Sequence, residues 1–280
     1  MTLMQVERLA ETVGARVTGI NADLLATDAG LADALMDALE ENGVLVLPEL
    51  NISPEAQVAF CERLGEVDYE QGHHPVRGIY RVSLDKSKNS SADYMVGTFL
   101  WHIDGCTPLH GEYPQKATLL SAVAVAASGG ETEFASSYAA YDLLTDAEKE
   151  QYDGLRVVHT LEASQSRVHP NATDEQRARW AARPSHVNPL VWTHRNGRKS
   201  LVLSASADYI EGVDREQGRA LLDDLLARAT APERVYRHEW SVGDTVIWDN
   251  RGVIHRAAPY APNSEREMLR TTVLGDEAMQ

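Results

Sequence analysis

Two histidines and an aspartate carry the first chemistry visible in this chain. LWHIDGCTP, from Leu100 to Pro108, holds His102 and Asp104 at i, i+2, and GDTVIWDNRGVIHRAAPY, from Gly243 to Tyr260, supplies His255. On a strand, alternate side chains share a face, so His102 and Asp104 would both reach one ion. Two imidazoles and one carboxylate form the donor set of non-haem Fe(II) oxygenases, which fills one face of an octahedron and leaves the rest open for co-substrate and oxygen. The same donors suit the zinc of a hydrolase. A lone His-x-Asp triplet is a common coincidence, and a lone histidine is more often a hydrogen-bonded core residue. The ligand reading therefore depends on further groups.

Those groups are carboxylate binders. Thr132 follows the Gly-Gly turn of SGGETEF, where a hydroxyl at a strand entry would meet an anion. SEREMLRTT places Arg266 and Arg270 beyond His255. If that segment is a strand, Arg266, Met268 and Arg270 share a face. Arginine forks bind carboxylates in bidentate fashion, which suits an acidic co-substrate beside a metal. A zinc hydrolase has no need of Thr132 or of the spaced arginines, so these features favour the oxygenase.

The elements that must position these residues are mostly strands. Short β-branched runs at 43–48, 117–125, 155–160, 200–204, 234–240, 244–249 and 268–275 are divided by Gly, Pro or polar turns. Helices are signposted at Leu31–Gly43, at Ser53–Gly65 with Ser53 as N-cap and Pro54 in the first turn, and at Asp214–Ala229. Thr145–Glu148 and Thr173–Gln176 read as capping boxes. Without strict β–α alternation, this pattern predicts a mainly β fold with flanking helices, a sandwich or jelly roll. The Ser-, Asn- and Lys-rich Asp85–Gly97 stretch reads as surface loop or active-site lid.

The bulk composition sets the outer bounds. In 280 residues, 26 Lys and Arg face 42 Asp and Glu, for a net charge of −16. That balance argues against nucleic-acid or anionic-membrane surfaces, while leaving room for a small anionic substrate in a locally cationic pocket. No apolar run approaches a membrane span, and no basic-then-apolar leader opens the chain, so a cytoplasmic location is expected. Cys61 and Cys106 are expected as reduced thiols. With no linker or repeat visible, residues 1–280 are expected to form a single domain.

Taken in order, WHIDG (101–105), GGET (129–132), WDNRGVIHRA (248–257) and the arginines before Thr271-Thr272 resemble the taurine dioxygenase/TfdA family of Fe(II)- and 2-oxoglutarate-dependent dioxygenases. GARVTGINADL, GVLVLP and AFCERLGEV resemble that family's opening, so the likeness covers nearly the whole chain. The resemblance implies a double-stranded β-helix, the jelly roll. It implies His102, Asp104 and His255 as iron ligands, Thr132 and Arg266 on the distal carboxylate of 2-oxoglutarate, and Arg270 on the substrate anion. His73 and His74, in EQGHHPVRG, lie where taurine-type enzymes place a substrate-binding histidine. The implied reaction consumes O2 and 2-oxoglutarate, releases succinate and CO2, and hydroxylates an unactivated carbon of a small carboxylate, sulfonate or sulfate. Where that carbon bears a heteroatom, the carbon–heteroatom bond then breaks.

MVGTFLWHID departs from the polar stretch of the taurine enzymes. If Tyr94, Met95, Phe99 and Leu100 face the pocket, they imply a larger and more apolar substrate. Trp101, Trp248 and Cys106 are expected in the core. A homo-oligomer is the expectation that such families carry. The alternative on the same fold is a non-catalytic 2-oxoglutarate-binding module, against which the intact ligand set argues.

Overall fold

The computed structural model describes residues 4–70, 72, 74–107 and 113–280. Its early strands are β1 (Gln5–Arg8), β2 (Ala15–Thr18), β3 (Val44–Leu47), β4 (Tyr80–Val82), β5 (Ala117–Ala124), β6 (Thr132–Ser136), β7 (Arg156–His159) and β8 (His186–Pro189). There follow β9 (Val191–Thr193), β10 (Lys199–Leu201), β11 (Ala207–Ile210), β12 (Tyr236–His238), β13 (Thr245–Asp249), β14 (Val253–Ala257) and β15 (Glu267–Val273). A seven-stranded sheet runs β1-β2-β3-β13-β5-β15-β4, and a three-stranded one runs β12-β6-β14. Within the large sheet β2 and β3 are parallel and the other pairs antiparallel.

β3 (VLVL) and β13 (TVIWD) are buried along their whole length because both faces of the large sheet are covered. Period-two alternation sends Leu45, Leu47, Leu119 and Ile247 to one face, against Leu35, Leu39 and Phe60 of the helices Ala29–Asn42 and Pro54–Leu64. It sends Val44, Val46, Leu120, Val246 and Trp248 to the other face, against Phe134 of β6 and Val253 of β14. The two sheets thus face each other across one apolar layer. Burying each aliphatic side chain contributes about 1.5–3 kcal/mol. Behind the small sheet, Ala135 and Ile254 pack on a third layer with Val157, Leu201, Leu222 and Leu225.

Most element signals fall where the residues dictate. Ser53 Oγ accepts from Ala56 N at 3.2 Å with Pro54 in the first turn, and both capping boxes are reciprocal. The helices Ala22–Thr27, Ser137–Asp142 and Leu161–Val168 are absent from the sequence pattern, being too short to display an apolar period. Part of the loop-like Asp85–Gly97 stretch is helical, over Ala92–Met95, and a 3-10 turn continues through Phe99. Cys61 and Cys106 are both free and buried. Among the described residues no helix is long and apolar enough to cross a membrane.

Candidate active site

β13 ends at Asp249, and the turn at Asn250–Gly252 starts β14, whose third residue is His255. Arg251 closes the turn onto Asp249 through Nε–Oδ1 at 2.9 Å and Nη2–Oδ2 at 3.0 Å. One edge of β14 pairs with β6, His255 opposite Phe134. The other edge takes an isolated bridge, in which the N–H of each of His102 and His255 donates to the other's carbonyl at 2.9 Å. That bridge sets the two imidazole centroids 4.2 Å apart.

The strand geometry expected for His102 and Asp104 is corrected here. His102 is a single bridge residue, and Asp104 lies in a turn rather than two residues along a strand. Gly105 permits that turn, with φ +94° and a Cβ position that would lie 2.5 Å from Gln115 N. The three side chains still meet, by a turn in place of a pleat.

Asp104 Oδ1 lies 3.7 Å from His102 Nε2, and Oδ2 lies 3.6 Å from His255 Nε2. One ligand atom from each residue falls within 4.8 Å of the others. His102 Nδ1 donates to the Leu100 carbonyl at 2.8 Å, which fixes the tautomer and leaves the Nε2 lone pair toward Asp104. Burial, with His102 alongside, pushes the His255 imidazole down to about 3. Burial pushes the Asp104 carboxyl up, but His255, His102, Arg270 and the Thr118 hydroxyl outweigh it and hold it below the usual carboxylate range. A neutral imidazole and an ionised carboxylate are the forms that bind metal. His255 Nδ1 is buried without a hydrogen-bond partner. Two converging nitrogens and one carboxylate fit a divalent transition-metal ion. Cys106 is no competing ligand, because burial pushes its thiol up to about 12 and it packs in the core.

The cleft over these residues encloses about 490 Å³, its mouth included, and Thr132, Arg266 and Arg270 line it with the His/Asp set. Thr132 Oγ1 accepts from Trp240 Nε1 at 3.0 Å, which leaves its own proton to donate. Arg266 is buried, with its guanidinium 4.7 Å over the Tyr260 ring and Nε donating to Gly130 O at 3.2 Å. Gly130 sits at φ +80°, and a Cβ there would lie 2.8 Å from Arg266 Cδ and Nε. The GG of the sequence motif is thus the bare wall that seats this arginine. Arg270 lies 4.7 Å over the Tyr80 ring.

Val82, Met95 and Leu120 supply the apolar lining, with Thr98 beside them. Of the four residues preceding the motif, Met95 lines the cleft, Phe99 packs edge-on to Tyr260 at 5.6 Å, and Tyr94 is exposed. Leu100 is half-buried. Trp101 is core, whereas Trp248 is core and also borders the cleft. His74 is half-buried outside the cleft lining, its Nδ1 accepting from Val76 N at 3.1 Å, and His73 lies outside the described residues. Sequence reasoning missed Thr118, Trp240, Tyr80 and Tyr260. None belongs to a spaced motif, and each matters only through a neighbour brought close by folding.

Known proteins resemble the chain over most of its length. The model of the Taurine catabolism dioxygenase TauD, TfdA family matches residues 5–272. The chain is 39% identical over 256 residues to an alpha-ketoglutarate-dependent 2,4-dichlorophenoxyacetate dioxygenase of Cupriavidus pinatubonensis, covering 85% of this chain and 86% of that one. It is 33% identical over 279 residues to a (S)-phenoxypropionate/alpha-ketoglutarate-dioxygenase of Sphingobium herbicidovorans, covering 97% and 95%. The crystal structure of AAD-2 in complex with Mn(II) and N-oxalylglycine superposes with a TM-score of 0.82 at 32% identity, covering 99% of this chain and 100% of that one.

Proposed function

The chain belongs to the taurine catabolism dioxygenase TauD, TfdA family, and from that premise we propose that it is an Fe(II)- and 2-oxoglutarate-dependent dioxygenase. Its proposed substrate is a small carboxylate with an apolar body, with aryloxyalkanoic acids as the class. The observation that carries the proposal is one cleft holding His102, Asp104 and His255 together with Thr132, Arg266 and Arg270. A zinc hydrolase has no use for the carboxylate binders, and a binding-only module has no use for an intact ligand set.

His102, Asp104 and His255 are read as the ligands of Fe(II). The bound ion supplies oxygen activation, in which O2 and 2-oxoglutarate yield succinate and CO2 while one oxygen atom enters a substrate C–H bond. Thr132 and Arg266 are read as the seat of the distal carboxylate of 2-oxoglutarate, through a donated hydroxyl and a buried guanidinium. N-oxalylglycine, the ligand of the AAD-2 structure, has the 2-oxoglutarate skeleton with NH in place of one methylene. Arg270 is read as holding the substrate anion, so that the rest of the molecule lies against Val82, Met95 and Leu120, away from water. His73 and His74 stay proposed as substrate contacts, reached from outside the cleft lining in the case of His74.

The two relatives described above are named for aryloxy acids, and the apolar lining fits an aryl body. Hydroxylation beside an ether oxygen gives a hemiacetal that collapses to a phenol and a carbonyl acid. We read the facing sheets as the double-stranded β-helix, or jelly roll, and residues 1–280 as a single domain. In support, β1 to β3 and the late strand β15 share one sheet. The expected setting is cytoplasmic and homo-oligomeric, with small anions rather than nucleic acid or membrane as partners.

The test is succinate formation with Fe(II), ascorbate and O2 across aryloxyalkanoates, alkyl sulfates, sulfonates and N-substituted amino acids. Aryloxyalkanoates should stimulate it most, with one phenol released per succinate. Equal stimulation by taurine-sized sulfonates would contradict the substrate class.

A further inference from the structure

We propose that Asn250 and Thr118 are positioning residues that hold the Asp104 carboxylate in one rotation for metal binding, through a one-way hydrogen-bond chain that begins at Trp248. The inference rests on the reading of His102, Asp104 and His255 as metal ligands.

Thr118, near the start of β5, stands directly opposite Trp248 of β13. Asn250 follows Trp248 by two residues, at the first position of the turn that leads to His255. In the sequence it looks like an ordinary polar turn residue. In the structure it is only 1% exposed, and Thr118 is fully buried. A buried amide and hydroxyl need partners, and these two have them in sequence: Trp248 Nε1 to Asn250 Oδ1 at 3.0 Å, Asn250 Nδ2 to Thr118 Oγ1 at 2.9 Å, and Thr118 Oγ1 to Asp104 Oδ2 at 3.0 Å.

The direction of this chain is fixed by its first member. An indole N–H only donates, so the Asn250 oxygen must face Trp248 and its NH2 must face Thr118. The Thr118 oxygen then accepts, and its single proton is left for Asp104. The far end is a carboxylate, which only accepts. A second set of bonds ties down the frame: Asn250 N donates to Lys116 O at 3.0 Å, and Arg251 locks Asp249. Asp104 itself lies in a turn without strand partners. Its carboxylate therefore takes orientation from this relay, where a strand would have supplied it from the backbone.

The experiment is titration of the full chain, free of metal, with Mn(II) alone, alongside thermal unfolding of the same metal-free protein. Thr118→Val keeps the shape and removes the proton. It should raise the Mn(II) Kd about tenfold to a hundredfold, the usual range for losing an outer partner of a metal ligand. Thr118→Ser should restore wild-type affinity. Asn250→Ala should weaken Mn(II) less than Thr118→Val, and the double variant should match Thr118→Val alone, because Asn250 acts through Thr118. Should Asn250→Ala fail to fold, the two Thr118 variants still decide. Wild-type Mn(II) affinity in folded Thr118→Val, or no rescue by serine, overturns the inference alone. No Mn(II) binding by the wild-type protein overturns the metal-centre reading and the inference with it.

Discussion

Arg266 and Arg270 stand four residues apart in the sequence and keep different company in the cleft. Arg266 is 3% exposed, pinned by Gly130 O and the Tyr260 ring, and lines the cleft together with Thr132. Arg270 lies over Tyr80 and is close enough to Asp104 to help hold that carboxyl down. Separate surroundings imply separate ligands. Arg266→Ala should raise the KM for 2-oxoglutarate about tenfold to a hundredfold, the loss of a charge-assisted hydrogen bond, and change the KM of the prime substrate little. Arg270→Ala should do the reverse. Steady-state kinetics with each component varied in turn checks this, and two variants that affect 2-oxoglutarate alone would remove Arg270 from the substrate site.

Elements decide whether those residues meet. The Gly129–Gly130 turn before β6 lies against residues 258–260, with Gly130 N donating to Ala258 O at 3.1 Å. Gly130→Ala combines a left-handed φ with a side-chain clash, so it should cost about 1–3 kcal/mol and push Arg266 from its seat. A lowered melting temperature of the metal-free chain together with a raised 2-oxoglutarate KM is the expected pair. Unchanged values for both would show that the turn does not seat Arg266. How far the sequence revealed this depends on how local each signal is. The strand runs, Ser53, Pro54 and the capping boxes were legible because they act over three or four residues. His102, Asp104, His255 and the two arginines were legible as a group because they stand in ordered motifs. The bridge that joins His102 to His255, the turn that carries Asp104 and the Trp240–Thr132 bond were not, because each pairs residues far apart in the chain. The i, i+2 reasoning brings Asp104 toward His102, and the fold does so too, but through a turn in place of a strand.

At the scale of the whole molecule, buried histidines away from the cleft set a limit on acid tolerance. Burial, with His186 nearby, pushes His159 down to about 4. Burial and the guanidinium groups of Arg251 and Arg198 do the same to His194, although Glu277 lies 3.8 Å from its Nδ1. Both pKa values lie below the unfolded value of about 6.5, so the unfolded chain takes up these protons first as pH falls. The stability they permit is whole above about pH 6.5 and declines toward pH 4, by up to about 1.4 kcal/mol per pH unit for each histidine. Urea midpoints of the metal-free chain at pH 7.5, 6.0 and 5.0 should fall accordingly, with a shallower slope in His159→Gln; an equal slope would acquit His159. The fold brings His102, Asp104 and His255 together, and the proposed consequence is oxidation coupled to 2-oxoglutarate. The assay that reaches it most directly is the aryloxyalkanoate-stimulated succinate assay run on wild-type protein and on His255→Ala. Wild type should form succinate and phenol one for one with added Fe(II), and folded His255→Ala should form neither. Equal succinate from both proteins, or none from wild type with any substrate of the panel, would contradict the account.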